Sequence, residues 1–320
     1  MGIPEKAWRE AESLLTNKPL HSVGKHALEE LDFIGGIVGG ERPSGYSRSP
    51  VLWNRLFQEL GIRGFFAALD LPQSTPFSGF AEAFLRIPGC IDLTVTSPYK
   101  ATAYQCLSSL PMDIKAAERV DHIGCLNHIM ASPATGRITA DITDGLGMVR
   151  AVKKRKTLRG ANVLLVGAGG AATAIGYEIV QEGASLIIAN IVEEDGRILA
   201  KRLGAFAAPP RTVTACSWED IQEAVSNCDV IISAITSSTP LDSTGVERLD
   251  EDCLLADTRY GDRAEFVQAA REAGRQCVDG REMLVGQFVA AAEVVGINLG
   301  VGQSTLSAAL ADVERWFLGL

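Results

Sequence analysis

The sequence predicts an α/β protein in which an N-terminal α/β domain precedes a domain built on a doubly wound parallel sheet. A glycine-rich turn at residues 167–172 follows a buried strand at 162–166 and opens a helix that runs to about residue 181. Strand and helix patterns alternate on both sides of this turn, as they do in α/β folds. The chain has 320 residues, and about half of them precede the turn. A separate domain is therefore expected to come first.

The first domain is predicted to cover residues 1–145 and to bind the substrate, with a helical, amphipathic extension at residues 1–30. The helix near residue 50 is predicted from Ser49 as its N-cap and Pro50 at its first position. Alternation of helices and strands makes this half α/β. The predicted elements are strand 33–38, helix 49–60, strand 64–69, helix 77–86 and strand 89–96.

Residues 146–282 are predicted to form a dinucleotide-binding domain of the Rossmann type, because their strands and helices follow the rhythm of repeated βαβ units. From Met283 the pattern is helical to the end. Residues 283–320 are therefore expected to pack back on the first domain, with a homodimer as the other use of these helices. The predicted elements are strand 162–166, helix 171–182, strand 185–190, helix 194–203, strand 211–215, helix 218–226, strands 230–235 and 253–256, and helix 263–273.

The composition excludes several classes of function. A net charge of −9 argues against nucleic acid or an anionic membrane surface as the partner. The apolar stretches have the length of strands and are too short to span a membrane. The N-terminus lacks the apolar core of a signal peptide, and the seven cysteines are dispersed, so a cytoplasmic protein with reduced thiols is expected. No metal site is expected, because the four histidines have no cluster of ligands beside them.

The glycine-rich turn is the strongest motif for a ligand. Gly167 permits the tight turn, Gly169 lets the backbone approach a pyrophosphate, and Ala172 keeps the helix close to the strand. The helix N-terminus adds unpaired N–H groups and a partial positive charge for the phosphates. The alternative is a tight strand-to-helix turn without a ligand. The predicted cofactor contacts of the turn are Gly167, Ala168, Gly169, Gly170, Ala171 and Ala172.

Lys100 and Asp144 are the candidate proton-transfer residues. Lys100 lies just beyond the end of a predicted strand, where α/β folds place ligands, and Asp144 opens the helix that connects the two domains. A lysine ammonium can donate a proton to a ketone as hydride arrives and can accept the alcohol proton in the other direction. An aspartate can orient that lysine and the substrate hydroxyl. The alternative is a surface lysine and a helix-capping aspartate.

Six segments in the same order resemble the motifs of the shikimate/quinate dehydrogenase family, and they span residues 47–287. Each motif alone is weak, but chance does not explain all six in order. The segments are Ser47–Pro50 for S-x-S-P, Thr94–Lys100 for N-V-T-x-P-x-K, Gly124–His128 for G-A-x-N-T, Ile142–Gly147 for N-T-D-G-x-G, Gly167–Ala172 for G-A-G-G-A-A/S and Gly280–Gln287 for G-x-x-M-L-x-x-Q.

The resemblance implies a hydride transfer between a nicotinamide cofactor and a ring hydroxyl of a cyclic hydroxy acid such as shikimate or quinate. Lys100 and Asp144 would be its catalytic pair. The other implied residues are Ser47 and Ser49 for the substrate carboxylate, Thr96, Asn127, Gln287 and nearby Tyr260 for the ring hydroxyls, and Asn190, Gly280 and Met283 for the cofactor.

Four positions depart from the family motifs. Thr94 and Ile142 stand where the family has asparagine, His128 stands where it has threonine, and Phe288 replaces a small residue. Phe288 is expected near the edge of the substrate, and Ile142 removes an amide beside Asp144. A pocket that pairs substrate hydroxyls loses roughly 1–3 kcal/mol for each missing partner. The chain is therefore expected to be a divergent member with an altered substrate.

The residues after the second strand of the Rossmann domain favour NAD over NADP. NADP-dependent relatives carry arginine in the position of Ile191, where it binds the 2′-phosphate, and the acidic residues 193–195 would repel that phosphate. Asn190 stands where NAD enzymes usually have an acid. NAD is therefore expected rather than NADP, with Arg197 or Arg202 left open as a phosphate contact.

Two other functions are considered. A methylene-tetrahydrofolate dehydrogenase has a similar architecture but would leave the segments 47–50 and 280–287 unexplained. A non-catalytic sensor that binds a ligand and regulates a partner agrees with the lost polar residues. The presence of both Lys100 and Asp144 argues against that sensor, because binding alone does not require the pair.

Overall fold

The computed structural model describes residues 2–19, 30–40, 42–235, 243–247, 249–261 and 264–319. The chain forms two compact units, one of Met1–Thr143 with Phe288–Leu320 and the other of Asp144–Gln287. The boundaries expected from the sequence, after residues 145 and 282, differ from these limits. The chain returns from the second unit to the first between Gln287 and Phe288. This point lies inside a helix, so no turn in the sequence marks it.

The first unit alternates helices and strands. Of the region predicted as a helical extension, one helix of nine residues is described, and residues 20–29 lie outside the described residues. The helices are α1 (Glu5–Ser13), α2 (Ser49–Glu59), α3 (Phe77–Leu85), α4 (Lys100–Cys106) and α5 (Glu118–Ile123), and the strands are β1 (Phe33–Gly39), β2 (Gly64–Asp70), β3 (Cys90–Val95), β4 (Ile114–Ala116), β5 (His128–Ala131) and β6 (Ile138–Asp141).

The second unit continues the alternation. Its helices are α6 (Asp144–Lys153), α7 (Gly170–Gln181), α8 (Glu193–Gly204), α9 (Ile221–Ala224), α10 (Ser243–Glu247) and α11 (Glu265–Glu272), and its strands are β7 (Asn162–Val166), β8 (Ser185–Ala189), β9 (Val213–Cys216), β10 (Val230–Ser233), β11 (Leu254–Asp257) and β12 (Cys277–Val278). Two helices follow, α12 (Gly280–Asn298) and α13 (Gln303–Leu318). Short 3₁₀ helices cover Pro43–Gly45, Leu107–Ser109 and Val225–Asn227. Within the described residues, no helix combines the length and apolar character needed to cross a lipid bilayer.

The first sheet has the strand order β2-β1-β3-β5-β6-β4. The strands β1, β2 and β3 are parallel, whereas β5 is antiparallel to both of its neighbours. The strands β4, β5 and β6 were not among the predicted elements. They are three or four residues long, which is too short to show an alternating apolar pattern.

A close aromatic contact joins the C-terminal part of the chain to the first sheet. The register pairs Gly35 with Phe66, so both lie on one face, and a Cβ atom on Gly35 would come within 2.6 Å of the Phe66 ring. Trp53 of α2 stacks on Phe66 with ring centroids 5.2 Å apart, and Phe288 of α12 meets Trp53 edge-on at 5.3 Å. Such pairs stabilise by about 0.5–1.5 kcal/mol beyond burial of area.

The second sheet is entirely parallel, with the order β12-β11-β10-β7-β8-β9. This is the order of a doubly wound dinucleotide-binding sheet, with β7 as its first strand. The predicted fold class is therefore confirmed. Because the strands are parallel, the loops after β7, β8 and β11 share one edge of the sheet, where ligands bind in such folds.

Candidate active site

Three predicted residues lie together where β3 ends in the first unit. Thr96 follows β3, and Lys100 is the first residue of α4. The Leu126 N–H donates to the Lys100 carbonyl at 3.2 Å, and the Val95 N–H donates to the Asn127 carbonyl at 2.7 Å. These bonds bring the turn after β3 to the start of β5. We call Thr96, Lys100 and Asn127 the lysine cluster.

The serine loop, residues 44–49, leads into α2 at the same edge of the first sheet, because β1 and β3 are parallel neighbours. The Ser49 N–H donates to Ser47 Oγ at 3.3 Å. Asp70 anchors the loop: its two carboxylate oxygens accept from the N–H and the hydroxyl of Ser44, at 3.0 and 2.5 Å. Sequence analysis did not single out Asp70, although an acid at the end of a buried strand was a signal. Arg48, and not Ser49 as predicted, is the N-cap residue.

Asn127 also has a structural role. Its Oδ1 accepts from the Thr143 N–H at 2.8 Å, and its Nδ2 donates to the Thr143 hydroxyl at 3.1 Å. Thr143 directly precedes Asp144, so the side-chain amide of Asn127 holds the backbone just before this candidate catalytic residue. A primary amide has two N–H donors, which leaves one for a ligand.

Two departures from the family motifs serve the core. Phe288 is 4% exposed and packs against Trp53, so it contributes to the core, and its expected position near the edge of the substrate stays a prediction. Ile142 is also buried, and its N–H donates to Asp141 Oδ1 at 2.7 Å. Arg119 forms a bidentate pair with Asp141. The backbone before Asp144 is thus held without the amide that the family places there.

The glycine-rich turn fits a dinucleotide. Gly167 has φ of +124°, and a Cβ atom there would lie 2.8 Å from the Ala234 carbonyl, so the position requires glycine. Gly169 is the N-cap of α7, and a Cβ atom there would project into open space, which leaves the backbone accessible to a phosphate. Ala172 is fully buried, which keeps α7 close to the sheet. This geometry is the one that the pyrophosphate of a nicotinamide cofactor needs.

Asn190 follows β8 at the same edge as the glycine-rich turn. Its Nδ2 donates to the Val192 carbonyl at 2.9 Å, so the amide shapes the turn into α8. Gly196 lies against Asn190, with an added Cβ atom 3.5 Å from the Asn190 Cβ. Ile191 is 57% exposed beside this turn.

Gly280, Met283 and Tyr260 also belong to this edge of the second unit. The Gly280 N–H donates to the Arg259 carbonyl at 2.9 Å, and a Cβ atom on Gly280 would lie 2.3 Å from the Thr258 carbonyl. Only glycine therefore allows the start of α12 to touch the loop after β11. Met283 follows one turn later and is buried, and Tyr260 ends the loop and is partly exposed.

Two buried carboxylates, Asp257 and Asp279, hold the two segments that meet at Gly280. Burial raises the pKa of Asp257 even though Arg259 donates three hydrogen bonds to it. Burial also acts to raise the pKa of Asp279, but hydrogen bonds from Arg271 and Arg281 outweigh it, and the pKa falls below the ordinary value. Asp279, the residue directly before Gly280, is therefore held in its charged form by these two arginines.

Replacing Asp279 by Asn is expected to lower the free energy of unfolding at neutral pH by about 1–3 kcal/mol, because charge-assisted bonds to two arginines are lost. The lowered pKa means that this contribution is present above about pH 4 and is lost as the pH falls through the folded-state value. Denaturant unfolding of both proteins between pH 3 and 7 measures the difference. Asp312→Asn, at an exposed ion pair, is the control. A difference that stays constant down to pH 3 would contradict the assignment.

Asp144 and Gln287 lie at the two limits of the second unit. Asp144 is 3% exposed and is the first residue of α6. One turn later, a Cβ atom on Gly147 would lie 2.5 Å from the Met283 carbonyl and 2.6 Å from the Gln287 Cγ. Glycine at 147 therefore lets α6 and α12 touch. This contact fixes Gln287 and Met283 relative to the start of α6.

Two family models match the chain. The model described as the shikimate dehydrogenase substrate binding domain matches residues 40–127, which contain the serine loop and the lysine cluster. The model described as shikimate / quinate 5-dehydrogenase matches residues 150–255, which contain the glycine-rich turn and Asn190.

Named relatives cover most of the chain. The shikimate dehydrogenase (NADP(+)) of Thermococcus kodakarensis is 31% identical over 257 residues, which cover 79% of this chain and 87% of the relative. The enzyme of the same name from Methanothrix thermoacetophila is 32% identical over 258 residues, covering 78% and 87%. A solved shikimate dehydrogenase in complex with NADP⁺ superposes with a TM-score of 0.69 at 23% identity, covering 88% of this chain and 95% of that one, which shows the fold alone.

The expected preference for NAD over NADP is wrong, because the similar relatives are named as NADP(+) enzymes. The structure explains why the charge argument failed. Glu193, Glu194 and Asp195 form the first turn of α8, where negative side chains stabilise the helix dipole. Glu193 also pairs with Arg197 at 2.6 Å. These acids have a local structural reason and do not report on the cofactor.

Proposed function

The chain belongs to the shikimate dehydrogenase family, and from this premise we propose that it transfers a hydride reversibly between NADP and a ring hydroxyl of shikimate or of a similar cyclic hydroxy acid such as quinate. It is an oxidoreductase that acts on a secondary alcohol. The observation that carries the proposed substrate class is the lysine cluster, because backbone bonds hold Lys100, Thr96 and Asn127 at one edge of the first sheet beside the serine loop.

Each group has a chemical role in this proposal. The bound nicotinamide accepts or supplies the hydride. The Lys100 ammonium donates a proton to the carbonyl oxygen in reduction, and the neutral amine accepts the alcohol proton in oxidation. Asp144 orients the substrate hydroxyl in this proposal. Ser47 and Ser49 bind the carboxylate, while Thr96, Asn127, Gln287 and Tyr260 bind ring hydroxyls.

The cofactor side rests on the second unit. The N–H groups at the start of α7 bind the pyrophosphate in this proposal, which agrees with the open approach at Gly169. Gly280 and Met283 would hold the nicotinamide, and Asn190 would contact the adenosine ribose. NADP is proposed because the relatives at 31% and 32% identity carry it in their names.

The proposed setting is the cytoplasm. All seven cysteines are free, which agrees with a reducing compartment. Burial raises the pKa of the Cys228 thiol to about 11 and that of Cys253 to about 12, so both thiols are unreactive near neutral pH. The partner is a small cyclic hydroxy acid, and a homodimer stays a prediction.

Steady-state kinetics test the proposal. Reduction of NADP⁺ and of NAD⁺ is measured with shikimate and with quinate, and without an acid as the control. We expect turnover with at least one acid and a higher kcat/KM for NADP⁺ than for NAD⁺. A stably folded protein without turnover of either acid would refute the proposed substrate class and favour a ligand-binding role.

A further inference from the structure

A buried polar group lies next to the lysine cluster and uses two of the departures from the family motifs. The Thr94 hydroxyl donates to Asp92 Oδ2 at 2.6 Å. His128 Nδ1 lies 3.0 Å from Asp92 Oδ1 and 3.2 Å from Oδ2, and 3.3 Å from the Thr94 hydroxyl. Asp92 is 0% exposed and His128 is 3% exposed. A charged or polar group so deeply buried is retained only where it is fully hydrogen-bonded.

The contacts of the ring show which nitrogen faces Asp92. A carboxylate can only accept hydrogen bonds, so Nδ1, the ring atom beside Asp92, carries a hydrogen and donates it. Among the described residues, every hydrogen bond of this ring is made through Nδ1. Nε2 is the ring nitrogen that remains for a further partner.

The strand register places His128 on the same face of the sheet as one proposed substrate contact. His128 is the first residue of β5 and pairs directly with Thr94 of β3. Thr94 lies two residues before Thr96, so their side chains share one face of the strand. His128 therefore lies on the face of the sheet that leads to Thr96 of the lysine cluster.

We propose that His128 is a specificity-determining residue whose Nε2 forms a hydrogen bond with a ring hydroxyl of the substrate, with Asp92 and Thr94 holding the ring. This inference rests on the proposed function. A threonine, which the family motif has here, is shorter than an imidazole and cannot reach as far. The substrate class is thus a cyclic acid with a hydroxyl directed at the start of β5, and an analogue without that hydroxyl leaves this ring nitrogen without its partner.

His128→Asn is the decisive variant. The asparagine Nδ2 lies close to the position of Nδ1 and can still donate to Asp92, while the ring nitrogen Nε2 is removed. We expect KM for the preferred acid to rise on the order of tenfold, with a smaller change in kcat, because the contact is made in the ground state as well as in the transition state. Binding of the acid to the cofactor-free protein, measured by calorimetry, should weaken by a similar factor.

Two comparisons separate recognition from folding. His122→Asn changes a histidine of α5 that lies outside the cluster, and it should leave KM and the melting temperature unchanged. If His128→Asn does not fold, the double variant Thr94→Asn/His128→Thr restores the residues of the family motif and should change the ratio of kcat/KM for shikimate to that for quinate.

A double-mutant-type cycle, in which substrate analogues are combined with the His128 variant, then identifies the hydroxyl that His128 contacts. Shikimate analogues that each lack one hydroxyl are compared in the original chain and in the variant. One analogue should lose affinity in the original chain and lose much less in the variant. If the unmodified protein is active but the variant has an unchanged KM, or if no hydroxyl shows coupling to His128, this inference alone is overturned. If the unmodified protein neither turns over nor binds either acid, the proposed function is overturned.

Discussion

Replacing Lys100 by Met is expected to lower kcat by about a thousandfold, because general acid–base catalysis by one side chain contributes roughly 10²–10⁴-fold. Methionine keeps much of the length and the apolar stem of lysine but cannot carry a proton. The backbone bond from Leu126 to the Lys100 carbonyl is independent of the side chain, so the start of α4 should keep its position. The effect should therefore appear in kcat and far less in KM.

Initial rates in both directions measure the effect of Lys100→Met. Lys115→Met, on the exposed edge strand β4 of the same unit, is the matched control and should retain the rate of the original chain. A Lys100→Met protein with a rate within threefold of the original would rule out Lys100 as the proton donor.

Replacing Asp144 by Asn is expected to lower kcat by about a hundredfold. The change removes the negative charge that, in the proposed function, orients the substrate hydroxyl, while it keeps the size of the side chain. Asp144 is buried in the first turn of α6, and asparagine has nearly the same shape, so the fold should survive.

The pH profile of kcat tests Asp144→Asn beyond a simple loss of rate. Loss of the carboxylate should change the pH dependence of kcat as well as its maximum, because the profile reports the ionisable groups that act in turnover. Glu265→Gln removes an acid from the first turn of α11 in the same unit and should change neither the rate nor the profile. If Asp144→Asn lowers the rate through a lower melting temperature alone, the assigned role is wrong.

The cofactor prediction shows where reasoning from a local pattern fails. Three acids after β8 suggested repulsion of a phosphate, but Glu193 pairs with Arg197 and all three lie in the first turn of a helix. A count of charges along the chain does not show that Glu193 pairs with Arg197 or that the acids begin a helix. In contrast, the conformation of the glycine-rich turn was predicted correctly, because its backbone angles and close contacts follow from the residues themselves.

The sequence by itself determined the α/β class, the parallel second sheet and the turn at Gly167, because these depend on local periodicity and on the conformational freedom of glycine. It also marked Lys100, Asp144 and the serine loop through their motifs. Only the tertiary structure decided that Phe288 belongs to the core of the first unit and that His128 meets Asp92. These contacts join residues far apart in the chain, and strand register and side-chain packing select them, which no local pattern encodes.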